Sequence, residues 1–127
     1  MLAKPPKADG TKITLSQHTE SVRAMGHTIL DSLAADLVRF WRLPVDAKRL
    51  RYLFDVAAWL HDFGKANNQF QGYIKDIRPN YNKYPQALRH ESYSFYVGNQ
   101  ILRDQGFSEE EIIAILAAVA SHHSKSY

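Results

Sequence analysis

Apolar residues recur every three or four positions through most of this chain, and nowhere do they alternate with polar ones over a useful length. That spacing excludes a sheet protein, since strands carry a period of two and β-branched residues are few here. Four helical segments are expected. The first runs from about Leu15 to Trp41, with Thr14 and Gln17 as a capping box. Its expected inward stripe is Val22, Met25, Ile29, Leu33, Leu37 and Phe40. The second runs from about Asp46, a plausible N-cap, to Asp62. Leu50, Leu53, Phe54, Ala57 and Leu60 form its buried stripe, and Gly64 suits the residue that ends it. The third runs from about Pro85 to Gln105 and is closed by Gly106. The fourth starts at Ser108, with Glu111 in the capping-box position, and continues to His122 and His123. Between the second and third, residues 66–86 are rich in Asn, Pro and Tyr. They read as a long loop with one short helical turn around Phe70–Ile74.

A length of 127 residues suits one domain with a real core. Residues 13–127 are expected to form it, behind a flexible lead-in, 1–12, that carries Pro5, Pro6 and three lysines. That lead-in has no hydrophobic segment and so does not read as a secretory signal. No apolar stretch approaches the roughly 20 residues that span a bilayer. An intracellular, cytoplasmic protein with no membrane partner is expected. The net charge of +3 permits an anionic partner without demonstrating one.

There is no cysteine, so any metal site must be built from His, Asp, Glu or water. Helical phase sorts the six histidines. His27 falls with Glu20, Arg23 and Asp31 on a polar face and reads as a surface residue. His18 precedes Val22 by four; His90 aligns with Ser94, Val97 and Ile101; His122 and His123 lie over Ile115, Leu116 and Val119. His61-Asp62 ends the apolar run Val56-Ala57-Ala58-Trp59-Leu60, which sets a charge beside buried surface. A lone inward imidazole is ordinarily a hydrogen-bonded core residue. Five of them from four helices, with an aspartate, would each need a partner in a metal-free core. A metal site explains them together. Imidazole with carboxylate favours Mn, Ni, Co, Fe or Zn over Mg, as one or two ions. One carboxylate can bridge two such ions. Lys65, one turn on from Asp62, either faces a phosphate or caps a helix C-terminus. Glu91 and Ser121 are candidates for fixing imidazole tautomers. In the 66–86 loop, Asn67, Asn68, Gln69, Tyr73, Lys75, Arg78, Tyr81, Lys83 and Tyr84 could line a path for a single strand, or form an ordinary polar loop.

Taken in order, these residues resemble the HD superfamily of metal-dependent phosphohydrolases, and within it the HD nuclease domain of the Cas3 proteins of type I CRISPR systems. The matching text is Leu60-His61-Asp62-Phe63-Gly64-Lys65, then Phe70-Gln71, then Arg89-His90-Glu91 with Ser94, then His122-His123. It spans about Gln17 to His123. The HD nuclease attached to the large subunit of the type I-D effector is similar. The resemblance implies an all-α fold, an HD-domain helical bundle with a metal site between the helices. It implies a divalent-metal-dependent nuclease acting on single-stranded DNA, with a CRISPR effector complex and a helicase as partners. Carried over, His18, His61 and Asp62 would hold one metal. Asp62, His90, His122 and His123 would hold the second, with Lys65 near the scissile phosphate. The family's pattern has a further Asp well beyond the doublet, for the first metal, and commonly a Gly where Ser124 stands. After His123 this sequence has only Ser124, Lys125, Ser126 and Tyr127. Two other readings stay open: a phosphohydrolase acting on nucleotides or cyclic dinucleotides, and a catalytically silent HD interaction module.

Overall fold

Thr14 opens the first helix, α1 (Leu15–Trp41), by accepting the Gln17 amide at its hydroxyl, while the Gln17 side chain accepts the Thr14 amide. The reciprocal pair satisfies donors that a helix start leaves without partners. Arg42, left-handed at φ 49°, ends the helix. Asp46 caps α2 (Ala47–Leu60) by accepting the Arg49 amide at 2.6 Å. A 3₁₀ turn (Phe63–Ala66) follows, then α3 (Asn68–Lys75), α4 (His90–Asp104) and α5 (Glu109–Ser121), the last opened by the expected Ser108–Glu111 box. The structure, a computed structural model, describes residues 1–75 and 89–122. Among these the fold is all-α, with one isolated bridge between Leu2 and Thr14 and no helix long and apolar enough to cross a membrane.

One element differs from what the sequence suggests. The helical turn expected at Phe70–Ile74 is a full eight-residue helix, because Asn67 Oδ1 accepts the Phe70 amide at 2.8 Å and starts it early. The expected start of the third segment at Pro85 lies outside the described residues; Arg89 serves as N-cap and α4 begins at His90.

The core belongs to α2, α4 and α5. Leu60, Leu102, Ile112, Ile115, Leu116 and Val119 are buried together, with Leu53, Val56, Ala57 and Phe107 packed against them. Each such side chain contributes roughly 1.5–3 kcal/mol by leaving water. Gly98 admits Leu116 and Leu60 to 3.3–3.4 Å of where a side chain would stand. Arg49 forks onto Glu111 at 2.7 and 2.8 Å and pins the start of α2 to α5.

α1 packs on α2, but not through the expected stripe. Met25 and Phe40 are 70% and 77% exposed, and Ile29 and Leu33 are exposed too. The face turned to α2 carries Thr19, Arg23, Gly26, His27 and Ala34. A side chain at Gly26 would collide with the Phe54 ring. Asp55 on α2 accepts from Arg23 Nε at 3.0 Å and lies 2.6 Å from His27 Nε2. His27 is therefore a half-buried joint residue and not the surface histidine its phase suggests. A carboxylate at a helix contact must find partners, and that requirement, with the small residues beside it, selects the face over apolar content.

Residues 1–14 are tied to this body. The Ala3 amide donates to the Ile13 carbonyl, the Leu15 amide to the Met1 carbonyl, and Ala3 is buried.

Candidate metal centre

The chain continues past Leu60 in helical geometry at His61 and breaks at Asp62, where φ is −108° and ψ 9°. That break turns the Asp62 side chain into the space between the helices, where the residue is 1% exposed. Four imidazoles meet it there. His18 of α1 and His61 bring Nε2 to 3.2 and 3.4 Å of Oδ2. His90, opening α4, and His122, just after α5, bring Nε2 to 3.3 and 3.4 Å of Oδ1. Each carboxylate oxygen thus faces two imidazoles. The donor atoms form two trios, His18–His61–Asp62 and Asp62–His90–His122, each within 4.8 Å and sharing the aspartate.

Hydrogen bonding on the far side of two rings sets their chemistry. His61 Nδ1 lies 2.6 Å from the Ala58 carbonyl, and His122 Nδ1 2.6 Å from the Val119 carbonyl, each the carbonyl three residues back. A carbonyl only accepts, so Nδ1 carries the proton and Nε2 of the neutral ring presents a lone pair. Those lone pairs point at a carboxylate, which also only accepts. An acceptor set of this kind needs a cation between its members. Among the described residues, nothing donates a hydrogen bond of good geometry to the buried Asp62 Oδ1. The donor set therefore fits a divalent ion of the imidazole-binding kind. At His61 burial lowers the pKa, but the Asp62 carboxylate and the Ala58 carbonyl outweigh that and raise it. Burial raises the pKa of Asp62, yet the neighbouring His61, His90 and Lys65 side chains more than offset this and hold it well below the usual carboxylate range. At His18 burial prevails over attraction to Asp62 and lowers the pKa.

Lys65 is buried, and its Nζ donates to Asp62 Oδ2 at 2.7 Å. It belongs to the cluster and is not a surface cap. Neighbouring side chains hold the turn. Ser94 is fully buried; its hydroxyl accepts the Gly64 amide at 2.7 Å and donates to the His61 carbonyl at 3.2 Å. Gly64 does not end α2 as expected. It sits within the 3₁₀ turn against the His90 carbonyl, where a side chain would collide. Gln71 accepts the Leu2 amide at 2.9 Å and donates to the Leu2 and Lys65 carbonyls at 2.9 and 2.8 Å, fastening the chain start to the turn. Phe70 stands edge-on to His90, with ring centroids 5.4 Å apart.

Of the expected supports, Glu91 has Oε2 3.6 Å from His90 Nδ1. Ser121 is exposed and bonds its own helix at the Ala118 carbonyl, so it supports no imidazole. His123, Arg78, Tyr81, Lys83 and Tyr84 lie outside the described residues, as do the side chains of Gln69, Tyr73 and Lys75. Gly64, Gln71 and Ser94 stand in the text that carries the family resemblance, but their contacts are not apparent from the sequence; Ser94 also stands one turn after His90 on the same face.

The family model described as the HD domain of Cas3 matches residues 3–127. A Myxococcus xanthus protein named CRISPR-associated nuclease/helicase Cas3 is 31% identical over 129 residues, covering 97% of this chain and 17% of its own length. No solved structure matches.

Proposed function

Since the chain belongs to the family of Cas3 HD domains, we propose that it is a divalent-metal-dependent nuclease domain that hydrolyses phosphodiester bonds of single-stranded DNA in type I CRISPR interference. The observation that carries this reading is the convergence of four imidazole nitrogens on the two oxygens of Asp62. On this reading His18, His61 and Asp62 hold one ion. Asp62, His90 and His122, with His123 contributed by the family pattern, hold the other. Bound there, the ions supply Lewis-acid chemistry: activation of water and neutralisation of phosphate charge. Imidazole-rich ligation favours Mn, Ni, Co, Fe or Zn over Mg.

The chain's own groups set the rest. Asp62 would serve both ions, because each of its oxygens faces one trio. The carbonyls of Ala58 and Val119 keep two rings in the metal-binding tautomer. Lys65, already on Asp62 Oδ2, keeps a positive charge where a phosphate oxygen would sit. The side chain of His18 is the most exposed of the four imidazoles and marks the side from which a strand enters. The chain spans 17% of the length of the relative it matches. A helicase, as a domain or a subunit, and an effector complex would deliver the strand.

The deciding experiment is manganese-dependent cleavage of circular single-stranded DNA by the native chain and by Asp62→Ala. Internal cleavage lost in the variant supports the reading. Stoichiometric manganese binding without any cleavage overturns it.

A further inference from the structure

Two large aromatic side chains flank the centre and are left open to solvent. Trp59, three residues before Asp62, is 53% exposed, and Phe63, directly after it, 40%. They share a cavity of ≈ 440 Å³ with Met1, Leu15, Thr19 and Ala66. Most of its walls are close in the chain to residues of the cluster, whose own side chains do not line it. Leu15 lies one turn before His18 and Thr19 directly after it; Ala66 follows Lys65. The cavity is thus an apolar annex to a strongly polar centre, and its size falls within the range of small-ligand sites.

From this we infer that the cavity is a nucleobase subsite, in which Trp59 and Phe63 receive by stacking a base next to the phosphate held at the centre. The inference rests on the nuclease reading above and extends it to the substrate's base. Several observations favour a base over another occupant. A phosphodiester strand carries a flat apolar ring one sugar away from each charged phosphate, and the protein sets an apolar aromatic cavity beside a cation site in the same way. Arg23, fixed on Asp55, lies 5.8 Å from the Trp59 ring centroid and steadies that side chain. Few polar groups reach the cavity: the hydroxyl-bearing residues on its wall are Thr14, Ser16 and Thr19, and Thr14 is engaged in capping α1. A site of this composition stacks any base and reads no sequence.

The test uses the chain's two tryptophans. Trp41→Phe leaves Trp59 as the sole reporter, in otherwise native protein. Its fluorescence is titrated, in chelator, with a short oligothymidylate and with an abasic phosphodiester of the same length. Stacking predicts quenching by oligothymidylate with an apparent Kd about ten- to a hundredfold below that of the abasic chain. Phe63→Ala in the same background should remove most of that difference. Equal response to the two ligands, or none, overturns the subsite. Metal-dependent cleavage of single-stranded DNA without base-dependent quenching strikes the subsite and leaves the nuclease reading standing. Base-dependent quenching without cleavage does the reverse.

Discussion

Asp62 and Lys65 form the smallest unit on which the molecule depends. Both are buried, and each is the other's shortest charged contact, at 2.7 Å. Removing one partner of such a pair leaves a buried charge without compensation, which costs about 3–5 kcal/mol. Asp62→Asn measured in chelator should therefore destabilise the chain by about that much. Adding Lys65→Met should recover most of the loss, because the remaining charge is then gone. Chemical denaturation of the two single variants and the double variant gives the interaction energy. A sum of the single effects in the double variant would show that the pair is not a unit. In excess manganese the Asp62→Asn chain should gain no stability, since both trios share that carboxylate.

Between elements, two joints decide the shape of the centre. At the first, the 3₁₀ turn meets α4 so closely that Gly64 touches the His90 carbonyl. Gly64→Ala should part them, lowering manganese affinity, read by calorimetry, by well over tenfold, while the helices, read by circular dichroism, are kept. At the second, Asp55 holds Arg23 and His27 of α1, with Glu20 also on Arg23. Burial alone would raise the pKa of Asp55, but bonds from Arg23 and His27 outweigh it and lower the value below 3.8. A carboxylate with a depressed folded pKa stabilises above its unfolded value and loses that contribution as pH falls through the folded one. Asp55→Asn should therefore cost about 1–3 kcal/mol at pH 7, and the penalty should shrink as pH falls below 3.8. A penalty independent of pH would place the loss in packing. These joints also mark where the sequence is legible. Caps at Thr14, Asp46 and Ser108 are local, and the spacing shows them. So do the phases of His18, His90 and His122. The packing face of α1 is not local: its apolar stripe misleads because the choice rests on Asp55, more than twenty residues away in sequence. Gly64 reads as a helix end because its true neighbour, the His90 carbonyl, comes from another helix.

At the scale of the whole molecule, the centre draws on the first helix, the end of the second, the start of the fourth and the end of the fifth. An ion held there links all four, so manganese should raise the melting temperature. At a hundredfold excess over Kd the gain is ~2.7 kcal/mol, or about 10 °C for a chain of this length. Scanning calorimetry with and without manganese checks this, and an unchanged midpoint would exclude binding to the folded state. The same arrangement has a kinetic side. His18 and His122 stand near opposite ends of the described chain, and bringing both onto Asp62 is among the most distant closures it makes. Local helices form within microseconds, whereas distant closures come later. Capture of an ion at these residues would thereby act as a proofreading step. A nascent or damaged chain with every helix formed but its ends apart offers only half a site, so an active ion is admitted only once the architecture around it is complete.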